Sequence, residues 1–160
     1  MNDQTALRGH LLELLEGSSA HIDIENALDG FPLSIINERP GNSPHSPWQL
    51  LEHIRIAQWD ILDFCRNPDY KELKWPDEYW PAKEGTEQSW TNSVKQVMTD
   101  LETLRTIVRS DTDLFAAIEH GRGKTKLREV LLVAEHNAYH LGQLVLLRRM
   151  YEASSLQESE

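Results

Sequence analysis

Within AEHNAYHLGQL, residues 134–144, two histidines stand four positions apart in a run of helix formers. Residues i and i+4 of a helix share one side, with β-carbons about 5–6 Å apart, so His136 and His140 can offer ring nitrogens to one ion. The zinc-protease form of this spacing needs glutamate directly after the first histidine as general base. Asn137 stands there, which excludes that class. A third histidine, His53, falls among Leu50, Ile54, Ala57, Ile61 and Phe64, the apolar positions of another helical stretch. An imidazole turned into a core with unsatisfied nitrogens costs roughly 1–3 kcal/mol, so His53 needs a partner. One histidine from one helix and a histidine pair from a facing helix would make a three-nitrogen site for a divalent ion, with positions left open for water or substrate. Three separately hydrogen-bonded histidines satisfy the same spacing, and the sequence leaves both readings open.

The remaining polar candidates are weaker. Asp60 follows His53 by seven residues and Gln143 follows His140 by three, which places each near its histidine's face as a candidate to orient the ring. His120 lies in a loop before the last helix, where it can reach a bundle mouth; His10, His21 and His45 have no matched partner, and exposed positions are expected for them. Cys65 is the only cysteine, so an internal disulfide and a Cys-rich zinc site are excluded, and a small buried hydrophobe is the expected role.

These residues have to be positioned by helices. Leu7, Leu11, Leu14 and Leu15 give the first helix an apolar stripe, which Gly17 ends, and a shorter helical piece is expected in HIDIENALDG. SPWQ at 46–49 combines a Ser N-cap, Pro at the first helical position and Gln at the reciprocal capping position, so a helix runs from about Pro47 to about Arg66. Trp90, Val94, Val97, Met98, Leu101, Leu104 and Val108 recur at steps of three and four, predicting a helix from about Glu87 to Arg109. Thr125 can cap a last helix that reaches about Tyr151. The glycines of HGRGKT lack the spacing of a phosphate loop. No stretch alternates at period two, so no sheet is expected, and four such helices close most simply as an all-α four-helix bundle. The connections at about 17–46 and 67–86 are long for bundle turns, so a plain up-down-up-down path is not required and at least one crossover can be accommodated. In the second connection, WPDEYWP sets two Trp and a Tyr between prolines; the favoured reading is a seal on the bundle end, with a substrate lid as the other.

A chain of 160 residues, 39% hydrophobic and 26% charged, suits a single helical domain over 1–151, with the polar, acidic residues 152–160 expected as a disordered tail. The net charge of −10, without any offsetting Lys/Arg run, argues against nucleic acid as a partner. Neither a signal peptide nor a membrane span is read in the sequence, so a cytoplasmic location is expected.

SPWQLLEHIRIAQWDIL, WPDEYWP and EHNAYHLGQLVLLRR resemble the corresponding stretches of the DinB superfamily, helical-bundle proteins that include metal-dependent hydrolases and thiol transferases. The resemblance covers roughly Leu7 to Tyr151. It implies an up-down-down-up four-helix bundle with a divalent metal, often zinc or nickel, on three histidines, here His53, His136 and His140. The loop IEHGRGKT departs by being more basic, with Arg122 and Lys124 at positions usually acidic or neutral.

Two functions are compatible with these residues. In the first, a metalloenzyme activates a water or a low-molecular-weight thiol such as bacillithiol against a small-molecule substrate, as a thiol transferase or hydrolase; the thiol chemistry is what the resemblance implies. In the second, a non-catalytic metal or small-ligand binding bundle works through self-association, as in a homodimer. Neither a catalytic triad nor a carboxylate pair can be recognised from spacing, so no general acid or base is assigned.

Overall fold

The computed structural model describes residues 3–110 and 112–157. Five α-helices occur among them: α1 (Asp3–Glu16), α2 (Ile24–Leu28), α3 (Pro47–Arg66), α4 (Glu87–Arg109) and α5 (Lys126–Gln157). There is no strand among the described residues, only an isolated antiparallel bridge between Ala117 and Thr125. The all-helical expectation holds, and the boundaries follow from local chemistry. Ser46 accepts from the Gln49 amide at 3.3 Å while the Gln49 side chain accepts from the Ser46 amide at 3.1 Å, so α3 starts where its orphan donors are satisfied. Thr86 and Ser89 cap α4 in the same reciprocal way, and Thr125 accepts from the Arg128 amide at 3.2 Å at the start of α5. Gly17 ends α1 at φ 77°, a left-handed conformation suited to glycine, and its amide donates to the Glu13 carbonyl.

α3 packs against α4 and α5, and α1 packs against the same two helices from the other side. The four long helices therefore enclose one core, filled by Leu11 and Leu15 of α1, Leu51 and Ile54 of α3, Val97 and Leu104 of α4, and Val133 and Leu144 of α5. The short α2 and two single 3-10 turns at Leu33–Ile35 and Pro40–Asn42 lie in the first long connection, where Phe31, Ile35 and Ile36 join the same core.

Three expectations change. Leu14 of the predicted α1 stripe is exposed, because Leu11 and Leu15 already fill the side of α1 that meets the bundle. Val94 and Met98 are partly buried at the edge of the core. Helix α5 continues to Gln157, past the expected end at Tyr151, so residues 152–157 are helical where a disordered tail was expected. EASSLQ contains neither Gly nor Pro to stop a helix. Residues 158–160 of that expected tail lie outside the described residues.

Candidate metal centre

α3 and α5 face each other, and His53 on one meets His136 and His140 on the other. One ring nitrogen from each lies within 4.8 Å of the other two. The Nε2 atoms of His53 and His136 are 3.1 Å apart. Two imidazole nitrogens bound at about 2.05 Å to a tetrahedral ion stand roughly 3.3 Å apart, so this pair is already at ligand spacing.

The far sides of the rings decide which nitrogen is free. His53 Nδ1 is 2.9 Å from the Tyr79 carbonyl oxygen, which can only accept, so the proton is on Nδ1 and the lone pair on Nε2. His140 Nδ1 meets Gln143 Oε1 at 3.2 Å, which by the same logic leaves its Nε2 as the acceptor atom. Outer hydrogen bonds of this kind fix tautomer and ring orientation in histidine metal sites. His53 and His140 are buried and His136 is partly so. Burial disfavours the charged form and is the main cause that holds all three below the ordinary histidine value, His136 at about 4, so the rings are neutral near pH 7. Neutral and converging, with His53 and His140 turned by their outer partners, these donors fit a divalent metal ion.

The second long connection contributes more than a seal. Trp80 stacks on His53 with centroids 4.1 Å apart and planes within 5°, and its other face stacks on His45 at 4.0 Å. His45 is therefore half-buried, contrary to the exposed position expected, while His10 and His21 are exposed. Residues Asp77–Tyr79 form a single 3-10 turn inside WPDEYWP, and Trp75 is 69% exposed beside the opening. Asp60 is buried and accepts from the hydroxyls of Tyr79 at 2.7 Å and Tyr70 at 3.0 Å. Its hydrogen bonds go to these tyrosines and not to His53, so it holds the residue whose carbonyl meets the ring. Burial pushes the Asp60 carboxyl up, and the two phenols are pushed up as well, by burial and then by their bonds to Asp60. Cys65 is buried, its thiol pushed up to about 12 by burial, in keeping with a packing role.

A cavity of about 510 Å³ opens beside His53 and His136. Its apolar wall comes from Ala57, Ile61, Phe64 and Leu132, and its far end from the loop of His120, Arg122 and Lys124. His120 Nε2 meets the Phe64 carbonyl at 3.0 Å, so this histidine does reach the mouth of the bundle. Reasoning from the sequence missed Tyr79, Trp80 and Tyr70; the clue available was the density of aromatics between prolines in the 67–86 connection.

No helix among the described residues is long and apolar enough to cross a membrane. None of the curated proteins and none of the solved structures matches this chain. The model of the DinB superfamily matches residues 18–144, a span that holds His53, His136 and His140. With most of its length matched and its helices carrying that histidine set, the chain belongs to the DinB superfamily.

Proposed function

We propose that His53, His136 and His140 hold a divalent metal ion, zinc or nickel, and that the protein is a metal-dependent enzyme acting on a small molecule with water or a low-molecular-weight thiol such as bacillithiol as nucleophile. The observation that carries this reading is the tautomer set by Tyr79 and Gln143, which turns Nε2 of His53 and of His140 toward the shared centre. Bound there, the ion would supply Lewis acidity that lowers the pKa of a water or thiol ligand. The protein's part is to keep three neutral nitrogens converged, to cover His53 with Trp80, and to leave the cavity side open. No Asp, Glu or Cys joins the histidines as a further ligand among the described residues, which favours an open site over a closed structural one. With Asn137 following His136, no glutamate stands ready to deprotonate an attacking water, so thiol transfer asks less of the protein than peptide hydrolysis.

The up-down-down-up course belongs to the same reading. It is supported by the pairing of Glu52 with Ser93 and of Gln58 with Val97, which runs α3 and α4 in one direction. The non-catalytic alternative draws its support from α5, where Leu131, Tyr139 and Leu146 are exposed at about two-turn intervals and offer a surface for a homodimer.

The test is elemental analysis of protein purified without a polyhistidine tag, followed by thiol conjugation to a chromogenic electrophile with and without chelator. About one divalent ion per chain is expected, lost in His136→Ala and His140→Ala, with a chelator-sensitive rate for at least one thiol of a panel including bacillithiol and none in His53→Ala. Unchanged metal content in the α5 variants would end the three-histidine assignment. Bound metal without any chelator-sensitive rate would hand the function to the binding-module reading.

A further inference from the structure

The cavity beside the histidines is within the usual range for small-molecule sites, and its two ends differ in chemistry. His136 and His53 border one end. Arg122 and Lys124 border the other, on the loop that leads into α5. From Thr125 to His136 the helix rises by roughly 16 Å, and long side chains bridge part of that, so a molecule touching both ends is of order 10 Å long. Between the ends, Ala57, Ile61, Phe64 and Leu132 provide an apolar wall.

Most arginines in this chain are engaged. Arg55 pairs with Glu52, Arg109 with Glu102, Arg128 with Glu129 and Arg148 with Glu152, while Arg8 donates to the carbonyls of Val108 and Thr112. Arg122 and Lys124 have no ion-pair partner among the described residues, although acidic residues outnumber basic ones 26 to 16. Lys124 lies over the Phe64 ring at 5.2 Å, which turns its ammonium along the cavity wall. The cavity's own buried carboxylates do not need these cations: Asp60 takes two tyrosine hydroxyls and Glu129 holds Arg128. Glu72, on the rim, is exposed.

The backbone adds a second, independent observation. Arg122 has φ 49°, a left-handed conformation that is unfavourable for a non-glycine residue. The loop holds it there through the bonds Gly121 N–H to Ile118 O (2.8 Å), Ile118 N–H to Lys124 O (2.8 Å) and Lys124 N–H to Gly121 O (3.0 Å). A Cβ at Gly121 would come within 2.9 Å of Ile118, so the turn is tight as well as bonded. Strained residues held by such a frame cluster at ligand clamps, and here the strained residue carries a guanidinium with no ion-pair partner among the described residues.

We infer that this cavity binds a small organic molecule with an apolar body and a terminal carboxylate, that Arg122 and Lys124 hold the carboxylate, and that the opposite end of the molecule reaches the histidines. The assignment of the reactive end rests on the metal-centre reading; the anion site does not. Guanidinium is the side chain best matched to a carboxylate, which it can hold through two parallel hydrogen bonds.

The probes are phenylalkanoates from phenylpropionate to phenylhexanoate, each paired with its neutral phenylalkanol and titrated calorimetrically into metal-free and zinc-loaded protein. At least one acid is expected to bind tenfold or more tightly than its alcohol in both forms. In Arg122→Gly/Lys124→Gln the preference should fall below threefold with alcohol binding unchanged. Glycine relieves the left-handed residue, so this variant should remain folded, and Lys124→Gln alone, at an exposed position, carries the test should the loop loosen. Two results overturn the inference: no acid surpassing its alcohol, or a preference that survives both substitutions. A preference seen only with zinc and surviving the substitutions places the carboxylate on the metal, so the inference fails while the metal reading stands. A preference in metal-free protein that the variant loses, in a chain that takes up no zinc, leaves the anion site standing and removes the metal reading.

Discussion

Replacing Gln58 by leucine tests the buried polar bridge that ties three helices together beside the histidines. Gln58 is 1% exposed; its Nε2 donates to the Val97 carbonyl of α4 at 2.8 Å and its Oε1 accepts from Asn137 Nδ2 of α5 at 2.7 Å. Asn137 Oδ1 is buried without a hydrogen-bond partner among the described residues, so that side chain already carries one unsatisfied atom. In Gln58→Leu the Val97 carbonyl stays within the hydrogen-bond ladder of its own helix, but the Asn137 amide loses its bond to Gln58. Leaving such a group unpaired costs about 1–3 kcal/mol. For a chain of this length about 2 kcal/mol lowers Tm by roughly 4–8 °C. Asn137→Leu alone should cost a similar amount by stranding Gln58 Oε1. The double variant strands nothing and should be more stable than either single one, so the two changes are expected to couple by more than 1 kcal/mol. Urea unfolding followed by far-ultraviolet circular dichroism, on metal-free protein at pH 7.5 with the slopes compared, measures this directly. Single variants as stable as the parent, or a double variant whose loss is the sum of the two, would refute the reasoning.

Metal affinity should persist below the pH at which free imidazole is protonated. Burial holds His53, His136 and His140 below the ordinary value, His136 at about 4, so protons displace the metal only as pH falls well under 6; a loss centred near 6.5 in a metal titration would contradict this. In metal-free protein the unfolded chain takes up these protons first, so stability is full above about 6.5 and declines as pH drops toward 4, which denaturant midpoints across that range will show. Gly85→Ala should destabilise by about 1–3 kcal/mol, because its Cβ would sit 2.6–2.9 Å from the Trp48 ring, itself buried and bonded to the Lys83 carbonyl; an unchanged melting temperature would show that Trp48 yields freely. Cys65 should react with a thiol reagent only after unfolding, and a stoichiometric reaction in native protein at pH 8 would contradict its burial.

The parts that could be read from the chain were those with local causes. Helices α3 and α4 announce themselves through Ser46–Gln49 and an unbroken heptad-like stripe, and the structure ends them at Arg66 and Arg109 as expected. The histidines were findable because His53 sits on an apolar face where an idle imidazole is expensive, and because four residues is one helical turn. What escaped was set by chain path. Tyr79 lies 26 residues from the ring it anchors, in a connection without periodicity, and nothing in its identity marks its carbonyl as an acceptor. Trp80 could not be paired with His45 and His53 in advance, since stacking depends on how the loop returns over the bundle. Helix α5 runs past Tyr151 because the polar residues that follow include neither Gly nor Pro, and polarity alone does not terminate a helix.

The anchor of His53 is a main-chain carbonyl, and that has a consequence for how the site can be altered. Every amino acid brings the same oxygen to position 79, so a substitution there removes the hydroxyl that Asp60 holds but leaves the acceptor itself present. Chain length is a different kind of change. Adding or removing a single residue between α3 and the Asp77–Tyr79 turn would shift the carbonyl along its path, free the His53 ring to rotate, and exchange which nitrogen faces α5. Tolerance to insertion and tolerance to substitution should therefore diverge sharply in this stretch, and their comparison would expose a site constraint that residue identity conceals.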